Sequence, residues 1–286
     1  MTEKEALIAL NMLPKIGPVR ARRLIERCGS AEAVFKAGAS VLREVNGIGS
    51  ETAGILREWE QHADLAGELQ RVEQGGYSVI TDQDEMWPEN LRQMHDAPLL
   101  LYVWGKVEAR DKSAIGVVGS RRATAYGLAC AKKLSFQLAH AGVTVLSGLA
   151  RGIDTAAHEG AVAAKGRTIA IIGSGLGRLY PPENKALCER IAAGQGAIVS
   201  EFPILTEPDK QTFPQRNRIV SGWSQGILVV EAPAWSGALI TAAPRSREGP
   251  SMQCPVPLTG PRPRAVINSS KTEPVSYWMP AIFWRI

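Results

Sequence analysis

From residue 114 onward, short unbroken apolar runs alternate with longer mixed stretches. The runs at 114–118, 143–146, 168–172, 197–200 and 226–231 are rich in Val, Ile, Leu and Ala. They are continuous rather than alternating, the pattern of strands buried on both faces. Between them, 125–141, 155–164, 182–193 and a segment starting near Gln215 carry helical patterns. This alternation predicts an α/β fold with a Rossmann-like, doubly wound, mostly parallel sheet. Further β-type segments are expected at 77–80 and 97–105.

Residues 1–74 read differently, as a small all-helical domain. Two glycine hairpins interrupt it, Leu13-Pro-Lys-Ile-Gly17-Pro-Val-Arg-Ala21 and Val45-Asn-Gly-Ile-Gly49-Ser-Glu-Thr-Ala53. Each has a glycine turn followed at once by a helix, which resembles the helix-hairpin-helix (SAM-like) arrangement. That resemblance makes Gly17 and Gly49 candidate phosphate hairpins, holding a DNA backbone through N–H groups without reading its sequence. Arg20, Arg22, Arg23 and Arg27 follow the first hairpin, whereas Glu51 follows the second. The bland reading is a helical domain whose glycines only turn corners. The boundary falls at Gln74-Gly-Gly-Tyr77, giving a helical domain over 1–74, a sheet domain over 77–242 and a tail over 243–286.

Composition changes this picture little. The 286 residues are 45% hydrophobic and 21% charged, enough for a proper core, and the net charge of +5 is compatible with a polyanionic partner without requiring one. Cys28, Cys130, Cys188 and Cys254 are far apart in sequence and form no Cys-x-x-Cys or Cys/His cluster. No metal site or other cofactor is expected, and a reducing cytoplasm fits best. The start, MTEKEALIAL, lacks the basic-then-apolar order of a signal peptide, and no run reaches the length of a membrane span.

The candidate chemistry lies at the ends of the predicted strands, where open α/β sheets bind ligands. Four glycine turns occur there: Gly119-Ser120-Arg121-Arg122, Ser147-Gly148-Leu-Ala-Arg151-Gly152, Gly173-Ser-Gly175-Leu-Gly177 and Ser236-Gly237-Ala-Leu239. A strand–turn–helix unit aims amides and the positive helix end outward, which suits phosphate. Phe213-Pro-Gln-Arg216-Asn217-Arg218 adds an aromatic beside two arginines. With Arg121, Arg122 and Arg151 these residues make a polyanion crevice a better reading than plain packing, although none of the turns is a dinucleotide fingerprint or a P-loop. Phe213, Tyr180 and Trp223 offer faces for base stacking. Glu201 and Glu231 end strands and could each hold a ribose. Asp154 and His158 lie four apart on one helix; a catalytic pair is weighed against a structural brace, with Asp154 capping the helix and His158 satisfying it, and the brace is preferred.

Taken together, Gly119-Ser-Arg121, Ser147-Gly-Leu-Ala-Arg-Gly-Ile-Asp154 with Ala157-His158, Tyr180-Pro181, Ser200-Glu-Phe-Pro203, Phe213-Pro-x-Arg216-Asn-Arg218 and Ser236-Gly-x-Leu-Ile-Thr-Ala242 resemble the DNA-processing protein A family (DprA, also called Smf). The resemblance implies a non-enzymatic protein that binds single-stranded DNA, forms a homodimer and loads the RecA recombinase during natural transformation. It also implies that Arg121 contacts DNA and that Lys185 and Lys210 line the same groove. A nucleotide-processing enzyme of phosphoribohydrolase type is the alternative, but its Pro-Gly-Gly-x-Gly-Thr turn is not in this chain. The tail departs from the family pattern. Regrouping the codons of Met252-Gln-Cys-Pro-Val256 by two bases permits the family's Ala-Val-Pro-Gly, and the same shift over 268–275 permits its Leu-Ile-x-x-Gly-Ala. A frame shift near Ala243 is therefore expected, with the loss of a strand and helix beside the last strand of the sheet.

Overall fold

The computed structural model describes residues 1–231 in full and the backbone of 251–254, 265–268 and 275–277. The N-terminal layer consists of α1 (Glu3–Met12), α2 (Pro18–Cys28), α3 (Ala31–Lys36), α4 (Ala39–Arg43), α5 (Ser50–Arg57), α6 (Trp59–His62) and α7 (Leu65–Gln74). Local chemistry sets these boundaries. Thr2 and Glu5 form a reciprocal capping box on α1. Pro18 occupies the first turn of α2, and Gly29 ends that helix in the left-handed region at φ 95°.

Then follow β1 (Ser78–Thr81), α8 (Glu89–Arg92), β2 (Leu100–Gly105), β3 (Ala114–Gly119), α9 (Ala125–His140), β4 (Thr144–Ser147), α10 (Ile153–Ala163), β5 (Thr168–Ile171), α11 (Lys185–Arg190), β6 (Gly196–Ser200), α12 (Thr212–Trp223) and β7 (Gly226–Val230). The helix expected near Gln215 begins at Thr212, because Pro214 fits a first helical turn and does not block it.

One sheet has the order β1-β2-β6-β5-β4-β3-β7, with the strands from β6 to β7 parallel and β1 and β2 antiparallel at one edge. The chain steps away from β3 through β4, β5 and β6, then returns to β7 on the other side of β3. That reversal opens a crevice at the carboxyl ends of β3 and β7.

Each strand divides its residues between the two faces, as continuous apolar runs require. Leu101, Val103, Val118, Leu146, Ile169, Ile171 and Val199 pack with Ile219, Val220 and Trp223 of α12 and Leu91 of α8. Val117, Val145, Leu228 and Val230 pack on the opposite face under α9 and α10. The N-terminal helices extend that second face: Leu100, Tyr102, Ala170 and Ile198 share one cluster with Leu7, Leu10, Leu24, Leu42 and Leu56. The helical layer is thus joined to the sheet by continuous apolar packing.

The expected bare edge beside β7 is corrected. β8 (Ser251–Cys254) pairs parallel with β7, and β9 (Ala265–Asn268) and β10 (Val275–Tyr277) follow antiparallel. Strand pairing uses backbone N–H and C=O groups, which a stretch supplies whatever its side chains. Ser236 and Gly237 of the fourth expected glycine turn lie outside the described residues.

Candidate functional site

The glycine turns are where backbones meet closely. A Cβ on Gly119 would come within 1.9 Å of the Val230 carbonyl oxygen, and one on Gly175 within 2.1 Å of the Pro203 carbonyl oxygen. Gly152 has φ +82°, and a Cβ there would lie 2.3 Å from the Ser120 carbonyl oxygen, so the first two turns touch. Their amides are largely used internally. Asp154 Oδ2 accepts from Gly148 N at 3.1 Å and Ala150 N at 3.3 Å. Ile153 N donates to Ser120 O, Gly175 N to Thr206 O and Gly177 N to Ile204 O. At the start of α9, Glu231 accepts from Thr124 N and Thr124 Oγ1. The expectation that Gly148 and Gly175 present free amides to phosphate is therefore corrected: both are buried, and the turns bond to the protein itself.

Arg216 and Arg218 are corrected for the same reason. Arg216 is 3% exposed, and its guanidinium lies under Gly148, donating to Gly148 O and Ile171 O. Burial lowers its pKa to about 10, Asp154 opposes that shift and Arg121 adds to it. Arg218 is 7% exposed and pairs with Glu201 and Asp96. The two arginines are two residues apart and point to different sides of α12, Arg216 to Gly148 and Ile171 and Arg218 to Asp96 and Glu201, so the start of that helix is enclosed on more than one side. Asn217, half-buried between them, accepts from Arg216 Nε. Trp223 is not a stacking face. It is fully buried and donates to Asp111 O at 3.0 Å. Glu201 and Glu231, offered as ribose ligands, are committed to Arg218 and Thr124.

What remains at the surface is a row of cations and rings. Exposed Arg121 lies over the Phe213 ring at 5.1 Å, Phe213 meets Tyr180 at 5.9 Å with a 45° tilt, and exposed Arg151 lies over Tyr180 at 5.6 Å. These residues come from four separate segments that the sheet brings together. Gly173 allows the arrangement, since a Cβ there would lie 2.8 Å from the Phe213 ring. Ser120 and exposed Arg122 sit in the turn that carries Arg121, and Ser120 Oγ accepts from Arg122 N at 3.1 Å. Lys185 and Lys210 are exposed, and like Arg121 and Arg122 they make no carboxylate pair among the described residues.

Sequence reasoning missed one member of this row. Glu183 pairs with Arg151 through both carboxylate oxygens, while Arg151 Nη1 donates to Tyr180 Oη at 3.3 Å. The pair lowers the Glu183 pKa and raises that of Arg151. A Glu three residues after Tyr180 in a turn carries no sequence signal for this, because only the fold brings Arg151 to it.

Asp154 does not cap α10, whose N-cap is Gly152 with no side-chain bond; it accepts from the Gly148 and Ala150 amides of the turn before the helix. His158 does not satisfy Asp154. Its Nδ1 lies 2.7 Å from Thr168 Oγ1, and that hydroxyl donates to Val145 O. Nδ1 is accordingly the donor, and Nε2 is buried without a hydrogen-bond partner. Burial, with a smaller contribution from the Arg216 charge, pushes the His158 pKa down to about 3. An unfolded chain takes up this proton near pH 6.5, whereas the folded chain refuses it until about pH 3. The stabilisation is therefore whole above pH 6.5 and is lost as pH falls below it. Burial raises Asp154 and Glu201, which has the opposite sign, so the His158 share is read from the difference between the wild type and a His158 variant. Chemical denaturation should show stability lower by about 1.4 kcal/mol at pH 5.5 than at pH 7.5, and His158→Gln should flatten that dependence.

The hairpin cations of the N-terminal layer are engaged. Lys15 pairs with Glu51, Arg20 donates to Lys15 O, Arg23 donates to Asn46 O, Arg27 pairs with Glu44 and Arg22 pairs with Asp82. Gly17 and Gly49 start α2 and α5 with open space around them. No group of His, Cys, Asp and Glu among the described residues could hold a metal, and no helix among them is long and apolar enough to cross a membrane.

The family described as DNA recombination-mediator protein A matches residues 78–257, and a SAM-like helix-hairpin-helix tandem matches 7–58. The chain is 36% identical to Protein Smf of Synechocystis sp. over 84% of this chain and 61% of that protein. It is 42% identical to Protein Smf of Escherichia coli over 60% of this chain and 46% of that one. With DNA processing protein DprA of Bacillus subtilis it is 33% identical, over 82% and 80%. The matches to the two Smf proteins therefore span less than two thirds of those proteins. Among solved structures it is similar to DNA processing protein A of Streptococcus pneumoniae, with TM-score 0.72, 30% identity and coverage of 84% and 82%. It is also similar to that of Helicobacter pylori, described for its single-stranded DNA binding mode, with TM-score 0.52, 29% identity and coverage of 58% and 74%.

Proposed function

The chain belongs to the DNA recombination-mediator protein A family, and from that premise we propose that it binds single-stranded DNA without catalysing a reaction and delivers it to the RecA recombinase during transformation. The proposal includes a cytoplasmic homodimer. The observation that carries it is the row Arg121–Phe213–Tyr180–Arg151, in which Phe213 is half-buried and the other three are exposed, with exposed Lys185 and Lys210 five residues after Tyr180 and three before Phe213 in the chain. Single-stranded nucleic acid is held by cations that follow the backbone and by rings on which bases stack, and this row alternates the two. Phosphates are assigned to Arg121, Arg122, Lys185 and Lys210, and bases to Phe213 and Tyr180. The buried charged groups at the strand ends, Asp154, Glu201, Arg216 and Arg218, bond within the protein, and the exposed Arg121 and Arg122 are left for phosphate.

Titration of labelled oligonucleotide tests this. Binding should fall steeply with salt and depend little on sequence. Binding that is insensitive to salt, or equal affinity for duplex and single strand, counts against it. Glu183 competes with phosphate for Arg151, so Glu183→Gln should tighten binding about two- to fivefold at low salt. Unchanged affinity in that variant would exclude Arg151 from the path.

A further inference from the structure

The helical layer reaches the DNA row through the loop between β6 and α12, over residues 201–211. Two buried or half-buried polar side chains of that layer grip the loop. Glu68 of α7 is 1% exposed, and its Oε1 accepts from Ile204 N at 2.7 Å while Oε2 meets Arg71 Nε at 3.3 Å. Asn11 of α1 donates from Nδ2 to Glu201 O at 2.8 Å. A carboxylate this deeply buried is costly unless it is hydrogen-bonded, so the bond to Ile204 N is one the fold depends on.

On its other side the gripped loop holds the turn that leads to Tyr180, because Ile204 O and Thr206 O accept from Gly177 N and Gly175 N, both at 2.9 Å. The loop then ends at Lys210 and enters α12, whose second residue is Phe213. Thr212 Oγ1 ties that entry to Gly173 O. One buried contact from α7 thereby sets the position of the Phe213 and Tyr180 segments relative to each other.

We infer that the helical layer serves DNA binding by positioning, with Glu68 and Asn11 as the positioning residues that hold the 201–211 loop and hence the Lys210, Phe213 and Tyr180 surface. This rests on the single-stranded DNA reading. It differs from direct contact by the hairpins, whose cations are engaged within the layer or, for Arg22, with Asp82, Ala97 and Pro98 beyond it.

The test uses the full chain, wild type and with Glu68→Ala, Glu68→Gln and Asn11→Ala, titrated with an oligonucleotide containing 2-aminopurine over a salt series. Glu68→Ala should weaken binding about three- to tenfold and reduce 2-aminopurine quenching, and the salt slope should fall by no more than about 0.7, the share of the one phosphate assigned to Lys210 on the loosened loop. Glu68→Gln keeps an acceptor for Ile204 N and should recover most of the affinity. Asn11→Ala should show a smaller loss of the same kind, and it decides the matter if Glu68→Ala does not fold. Wild-type affinity in folded Glu68→Ala, or in Asn11→Ala when that variant must decide, overturns the inference. If the wild-type chain binds no oligonucleotide, the DNA reading itself fails, which is a distinct result.

Discussion

Arg121→Ala should weaken single-stranded DNA binding about ten- to a hundredfold and lower the salt slope by about 0.7, the share of one phosphate on a single strand. Arg121 is exposed, stands in the first strand-end turn and has no carboxylate partner among the described residues. Its guanidinium rests on the Phe213 ring, which limits its orientations before a phosphate arrives. Phe213→Ala separates the two kinds of contact. It should cost about 1–3 kcal/mol of stacking while leaving the salt slope near wild type, apart from any loosening of Arg121. A titration series at several salt concentrations reads both quantities. If Arg121→Ala keeps wild-type affinity and slope, the row is not the DNA path.

Arg218→Ala should act on stability instead. Its removal strands the Glu201 carboxylate, which is 8% exposed and whose pKa burial already raises. Breaking a buried pair on one side costs about 3–5 kcal/mol, whereas replacing both partners by apolar residues of similar volume is often near neutral. Denaturant unfolding should therefore show a large loss for Arg218→Ala and substantial recovery in Arg218→Met/Glu201→Leu. An Arg218→Ala protein of wild-type stability but weak DNA binding would return Arg218 to the surface role first expected from the sequence. Arg216 stands in the same position, under Gly148, where the turn has no room for a side chain of its own.

The sequence by itself determined the layered α/β fold and the helical layer before it. Continuous apolar runs can be buried only on both faces of a sheet, and each run was found as a strand within a residue or two of its expected ends. It also determined which turns matter, because Gly119, Gly152 and Gly175 stand where only glycine lets two backbones approach, and Gly148 where only glycine leaves room for the Arg216 guanidinium. Tertiary structure decided which charges are available. Arg121 and Arg216 are alike in sequence, each an arginine near a helix start, but one lies over a ring at the surface and the other beneath the floor. That difference depends on which face of α12 meets the sheet ends, a matter of packing between segments far apart in the chain. The same holds for Glu183 beside Arg151, Glu231 on Thr124 and Glu68 on Ile204, each a carboxylate with a partner that sequence spacing does not indicate. Periodicity encodes burial because burial is a property of one segment. The pairing of charges belongs to two segments at once, and only the folded sheet brings them together.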